Sequence, residues 1–165
     1  MSKVKTQTLS ILTEFEVYAS EKELLKIDAE LLAQSKESVK DAYAPYSNFN
    51  VGAALLLDNG KIVTGNNQEN AAYPSGLCAE RVALFYAASQ FPKAKVVAIA
   101  ISVKSKKSVI AEPLAPCGSC RQAIAEYETK SKKPIRIIMS GEKGKIYIAK
   151  SIESMLPLMF NQKYL

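Results

Sequence analysis

The sequence predicts a layered α/β domain around a single sheet, and three observations carry that expectation. Short apolar runs of strand length alternate with stretches of helical periodicity. Asparagine, glycine and proline punctuate the junctions between them. At 165 residues and 48% hydrophobic, the chain suits one domain, large enough to bury about two-thirds of its unfolded surface.

The elements follow in order. Residues 1–20 form an N-terminal extension in which only "EFEVY" has a pattern, alternating like an edge strand. The single domain is expected over 21–165. Ser20 and Glu23 have the spacing of a capping box, ahead of a near-helical apolar repeat at Leu24, Ile27, Leu31 and Leu32. The helix is expected to run to about Tyr43, with Pro45 as its stop. "FNVGAALLLDNGKIVTGNN" reads as a hairpin turning at Asn59–Gly60. A loop, "QENAAYPSG", leads into a helix from about Cys78 to Ser89. The continuously apolar "KVVAIAIS" suits a strand buried on both faces. A basic loop then precedes a helix from about Cys117 to Thr129. "PIRIIMS" and "KIYIAKS" read as two further strands, and "SIESMLPLMF" as a short closing helix. The order is α-β-β-α-β-α-β-β.

Charge and composition narrow the functional classes. The formal net charge is +6, but the lysines are dispersed and few aromatics lie among them. A base-stacking groove needs that interleaving, so no nucleic-acid partner is expected. No run approaches the roughly 18–20 apolar residues of a membrane span. The N-terminal stretch lacks a sustained apolar segment and an Ala-x-Ala cleavage site, so a cytoplasmic setting is expected. Thiols stay reduced there, and clustered cysteines bind metal or do chemistry. Histidine is absent. Any transition-metal site must therefore use thiolates and carboxylates.

The three cysteines fall at two expected helix starts, Cys78 in "GLCAERVAL" and the pair Cys117 and Cys120 in "APCGSCRQA". Residues three apart on a helix share a face, and a helix N-terminus favours thiolate over thiol. If the two helices pack side by side on one face of the sheet, three thiolates converge on one zinc. Three protein ligands leave a fourth tetrahedral position open, the mark of a catalytic rather than a structural site. Water taken up there has its pKa lowered from about 15.7 towards about 7. Glu80, two positions after Cys78, is placed to move that water's proton. Three thiolates around a divalent ion leave an excess negative charge, which Arg81 offsets by donating to sulfur. Gln122 can donate in the same way, and Arg121 is a further candidate. A Cys-x-x-Cys dithiol oxidoreductase is the rival reading, but it leaves Cys78 and Glu80 without a purpose.

"CAER" followed by "PCGSCRQ" resembles the cytidine deaminase family, in its small form with three cysteine zinc ligands. "YAPYSNFNVGAALL" (43–56), "GNNQENAAYPSGLCAERVAL" (65–84), "PCGSCRQAIAEY" (116–127) and "MLPLMF" (155–160) are similar to family segments in the same order. The resemblance runs from roughly 25 to 160. It implies a three-layer α/β/α sandwich around a mixed five-stranded sheet, with one zinc per subunit on Cys78, Cys117 and Cys120. It makes Glu80 the proton shuttle in hydrolytic deamination of cytidine and deoxycytidine to uridine and deoxyuridine, a step of pyrimidine salvage. Asn67 and Glu69 would bond the ribose hydroxyls, Phe49 would line the pyrimidine pocket, and backbone N–H groups near Ala79 and Cys117 would hold the ring carbonyl. Phe160 would enter a neighbouring site across the interface of a homotetramer with shared active sites. A related aminonucleoside deaminase, of the blasticidin type, is the alternative within the same chemistry. The N-terminal extension and the loop "VKSKKSVIAEPLA" depart from the compact family pattern.

Overall fold

The computed structural model describes residues 6–165. The first five residues of the expected N-terminal extension lie outside the described residues. The strands are β1 (Glu16–Tyr18), β2 (Phe49–Leu57), β3 (Ile62–Asn66), β4 (Val96–Ser105), β5 (Arg136–Ser140) and β6 (Ile146–Ala149). The helices are α1 (Lys26–Ser38), α2 (Ala79–Gln90) and α3 (Gly118–Ser131). They build one mixed sheet of six strands in the order β1-β6-β5-β4-β2-β3. The β4–β5 pair is parallel and every other pair is antiparallel.

Alternation along the strands explains the layering. On β2, β4 and β5, Ala53, Leu55, Ile99, Ile101, Ile137 and Met139 face α2 and α3, joining Ala83, Leu84, Ala87, Ile124 and Ala125 in the larger core. The intervening Ala54, Ala98, Ala100 and Ile138 face α1 and pack with Leu31 and Leu32. Successive strand side chains point to opposite faces, so an unbroken apolar run serves two helical layers at once. The result is an α/β/α sandwich.

Four sequence expectations are corrected. The sheet has six strands rather than five, because Glu16–Tyr18 of the N-terminal extension pairs antiparallel with Ile146–Ile148 at the edge. The first helix begins at Lys26, not near Ser20. Ser20 makes no side-chain cap, residues 21–23 form a single 3₁₀ turn, and Leu24 and Leu25 are extended. Glu23 accepts from the Ala19 N–H at 2.9 Å, one residue before the N–H that the expected box would use. That helix also ends early, at Ser38, where the Ser38 hydroxyl donates to the Gly65 carbonyl and Asn66 donates to the Ser38 carbonyl. The closing helix is reduced to a 3₁₀ turn at Ile152–Ser154, and the rest of that segment is irregular.

The topology decides where the chemistry sits. β2 is antiparallel to both β3 and β4, so β3 and β4 run in the same direction. The chain leaves each of them into a loop and returns by a helix. Both α2 and α3 therefore begin at the same end of the sheet, beyond the C-terminal ends of the strands that precede them.

Candidate active site

Cys78 and Cys117 are the N-cap residues of α2 and α3, both extended (φ −72°, ψ 153° and φ −66°, ψ 167°). Neither side chain caps its helix. The sulfurs are turned outward instead, and Cys120 joins them from the first turn of α3. All three Sγ atoms lie within 4.8 Å of one another, and Cys78 Sγ is 3.8 Å from Cys117 Sγ. A tetrahedral zinc with Zn–S bonds of about 2.3 Å has an S···S edge of about 3.8 Å. The donor set, three soft thiols with no histidine in the chain, fits zinc and leaves one coordination position for a non-protein ligand.

Charge is already gathered there. Hydrogen bonding from the Cys120 thiol, helped by Arg81, lowers the Cys78 thiol to about 5. The Cys120 thiol is pushed up, by its shared bond with Cys78, by burial and by the nearby Glu80 carboxylate. Thiolates are the ligand form, so metal binding at this cluster releases the thiol protons. Arg81 Nη2 donates to Cys78 Sγ at 3.9 Å.

Glu80 is 4% exposed on the inner side of α2. Burial, then the negative sulfur of Cys78, raises its carboxyl above the usual range. A carboxyl whose pKa is raised holds a proton more readily and can serve as an acid as well as a base.

Beside the thiols opens a cleft of about 520 Å³ whose wall includes Cys78, Arg81, Asn67 and Glu69. That volume suits a small organic ligand. Asn67 Oδ1 accepts from the Val51 N–H at 2.7 Å, and its Nδ2 donates to the Phe49 carbonyl at 2.9 Å. Glu69 Oε2 accepts from the N–H groups of Tyr46 and Ser47 at 2.9 and 3.2 Å. Partial desolvation opposes ionisation of Glu69, but the Ser47 hydroxyl and these two amides outweigh it and hold the carboxyl below its ordinary value. Both side chains thus anchor the segment leading into β2. Phe49 opens that strand, half-buried, and does not line this cleft.

Two expected placements change. Gln122 Nε2 donates to the Phe160 carbonyl at 2.9 Å, not to a sulfur. Arg121 also turns from the sulfurs, bonding the carbonyls of Pro116 and Met155. Phe160 is exposed on the C-terminal segment and stacks on Tyr164, with ring centroids 5.6 Å apart. Sequence reasoning passed over Tyr46 and Tyr73, which meet edge to face at 6.4 Å on the cleft wall. Both stand inside the quoted segments, and aromatic residues in loops beside candidate ligands were the available signal.

Convergent thiols, a buried carboxylate and an open cleft on an α/β/α sandwich define a thiolate-ligated catalytic zinc centre. Residues 25–133 match the family model of the cytidine and deoxycytidylate deaminase zinc-binding region. The chain is 46% identical over 96 residues to a cytidine deaminase of Halalkalibacterium halodurans, covering 58% of this chain and 68% of that one. It is 38% identical over 134 residues to a cytidine deaminase of Sporosarcina psychrophila, covering 81% and 90%. A solved cytidine deaminase from Burkholderia pseudomallei superposes with a TM-score of 0.69 at 37% identity, covering 79% of this chain and 97% of that one. One from Mycobacterium tuberculosis gives 0.62 at 30%, covering 83% and 98%. The chain belongs to the cytidine and deoxycytidylate deaminase zinc-binding family.

Proposed function

We propose that this protein is a zinc-dependent cytidine deaminase that converts cytidine and deoxycytidine, with water, to uridine and deoxyuridine and ammonia. The observation that carries the reading is the set of three sulfurs within 4.8 Å beside a glutamate that is 4% exposed. Cys78, Cys117 and Cys120 hold one zinc per subunit. When bound, the metal activates a water for attack at neutral pH. Glu80 takes the proton of that water and delivers it to N3 as the ring is attacked at C4, so negative charge does not build up in the pyrimidine. Glu80 then takes the proton of the new C4 hydroxyl and passes it to the amino group, so the C4 carbonyl forms as the C4–N bond breaks and ammonia leaves. Arg81 draws charge from the Cys78 sulfur and keeps the metal electrophilic.

Binding is assigned to the remaining residues. The N–H groups of Ala79 and Cys117, at two helix starts, hold the ring carbonyl. Asn67 and Glu69 face the sugar. Glu69 Oε2 is engaged by backbone, which leaves Oε1 for a ribose hydroxyl. A carboxylate here repels a 5′-phosphate, so free nucleosides are favoured over nucleotides and polynucleotides. Phe49, set back from the open cleft at the start of β2, is assigned to the pyrimidine pocket on the family resemblance alone. Phe160, 58% exposed beside an exposed Leu158, is supplied to a neighbouring subunit's site in a homotetramer. The setting is cytoplasmic pyrimidine salvage, with no nucleic-acid partner. No helix among the described residues is long and apolar enough to cross a membrane.

The decisive experiment follows the ultraviolet absorbance of cytidine, deoxycytidine and cytidine monophosphate in turn, with the zinc content measured on the same sample. Turnover of both nucleosides, slow or no turnover of the monophosphate, and one zinc per chain are expected. A zinc-loaded protein that leaves both nucleosides unchanged would refute the reading.

A further inference from the structure

The C-terminal segment lies along α3, and the contacts have an order. Glu128 sits towards the far end of the helix. Its Oε1 accepts from the Ser151 hydroxyl at 2.5 Å and its Oε2 from the Ile152 N–H at 3.1 Å. Seven positions earlier, two helical turns and roughly 10 Å back on the same face, Arg121 Nη1 donates to the Met155 carbonyl at 3.0 Å. At the next residue, Gln122 Nε2 donates to the Phe160 carbonyl at 2.9 Å. The segment therefore runs antiparallel to α3 and delivers Phe160 to the end of the helix that carries the zinc ligands. Buried Ile152 and Met155 hold it against the core.

Arg121 has a second arm. Its Nε donates to the Pro116 carbonyl at 2.8 Å. That carbonyl and the Cys117 N–H belong to one planar peptide unit, so fixing the first sets the direction of the second. Among the described residues no carboxylate pairs with this guanidinium. Its charge is spent on two neutral carbonyls in different segments, bonds stronger and more directional than those of a neutral donor. The planar fork of arginine presents separate N–H groups to the two carbonyls in fixed directions, whereas lysine offers its donors from a single nitrogen.

We propose that Arg121 is a positioning residue that joins the ligand-bearing Pro116–Cys117 peptide to the C-terminal strap, so that retention of zinc and placement of Phe160 depend on the same side chain. The inference rests on the assignment of Cys117 as a ligand and Phe160 as a pocket residue. Arg121 bonds no cysteine sulfur and does not line the cleft. It aims the peptide that presents Cys117 and anchors the segment that presents Phe160.

The test uses the full-length zinc-loaded protein with Arg121→Met, which keeps the stem without the donors, and Arg121→Lys, which keeps the charge with one point of contact. Three quantities are read: zinc release to a chromophoric chelator, amide hydrogen exchange over residues 152–160, and kcat and KM for cytidine. In Arg121→Met, zinc release rises about tenfold, as for loss of an outer-sphere partner, exchange in the strap quickens, and KM rises. In Arg121→Lys both structural readouts move the same way by less. Should Arg121→Met fail to fold, the lysine variant decides by the same two readouts. Unchanged zinc release, or unchanged exchange in the strap, overturns the coupling. A wild-type protein that holds zinc but does not deaminate cytidine overturns the functional reading alone, because zinc release and exchange stay measurable.

Discussion

Cys78 and Cys117 stand 39 positions apart in sequence, yet their sulfurs are 3.8 Å apart. Nothing local brings them together. β3 and β4 run in the same direction on either side of β2, so the helices that follow them start side by side. A metal site results because each helix puts its cysteine at the N-cap, with the sulfur turned outward.

That relationship makes Cys117→Ala the sharpest test of the metal centre. With one of three ligands gone, zinc affinity falls by more than the roughly 10–100-fold seen when only an outer-sphere partner is lost. Competition with a chelator of known affinity measures it. A full zinc load in this variant would refute the three-thiolate site.

Glu80→Gln keeps the shape of the side chain and removes the titrating proton. Bound zinc is expected to remain stoichiometric while kcat drops by about 10²–10⁴, the usual contribution of a placed proton shuttle. Near wild-type turnover in a zinc-replete sample would take the shuttle role from this residue.

Gly65 of β3 lies directly against the backbone of α2. A Cβ there would lie 2.6 Å from the Ala83 amide nitrogen and 2.8 Å from the Ala79 carbonyl oxygen, both rigid backbone. Gly65→Ala pushes away the helix that carries Cys78 and Glu80, at a cost of about 1–3 kcal/mol in stability together with weaker zinc binding. Gly118, whose added Cβ meets nothing within 4 Å, is the control. Gly118→Ala is neutral to stabilising by up to about 1 kcal/mol. Urea denaturation of both variants checks the contrast, and equal losses would contradict it.

Asp28, at the start of α1, is ion-paired with Arg136 at the start of β5; the carboxylate side chain is 3% exposed and the guanidinium 32%. The asymmetry predicts unequal costs. Arg136→Met strands a buried carboxylate and destabilises by about 3–5 kcal/mol. Asp28→Asn leaves a guanidinium that still reaches water and keeps an acceptor beside it, costing about 1–2 kcal/mol. Denaturant midpoints that reverse this order would disprove it.

Glu142 supplies a pH dependence with a definite sign. The N–H groups of Ser105 and Ile110 both bond its Oε1, at 3.1 and 3.2 Å, and hold its carboxyl below the ordinary value of 4.5. A folded-state pKa that is depressed adds stability above the unfolded value, and that stability is lost as the pH falls through the folded one. Glu142→Gln should therefore lower Tm at pH 7, with the difference shrinking progressively below about pH 4.5. A constant difference down to strongly acidic pH would show that the bonds do not depend on the charge.

Much of the fold was legible where periodicity and turn chemistry agreed. The Asn59–Gly60 turn, with Gly60 at φ +81°, the double-faced run of β4 and the two cysteine-headed helices fall where their residues indicated. The start of α1 did not, because Ser20 and Glu23 met a capping spacing while the chain spent that stretch on a single tight turn. "EFEVY" showed alternation, but only pairing with β6 makes a three-residue strand persist. In the site, the ligands could be named from their spacing, whereas the partners of Arg121 and Gln122 could not. Both side chains seek backbone carbonyls, and a carbonyl leaves no mark in a sequence.

By itself, the sequence determined the chemistry on offer. Three thiols without histidine, a carboxylate two positions after the first, and two helix starts to bear them restrict the metal and the reaction, because side-chain type is a local property. The tertiary structure decided everything that depends on distance. Strand direction brought the sulfurs within 4.8 Å, burial raised the Glu80 carboxyl, and the strap along α3 set where Phe160 lies. Those quantities arise from packing between segments remote in sequence, and no local pattern encodes them.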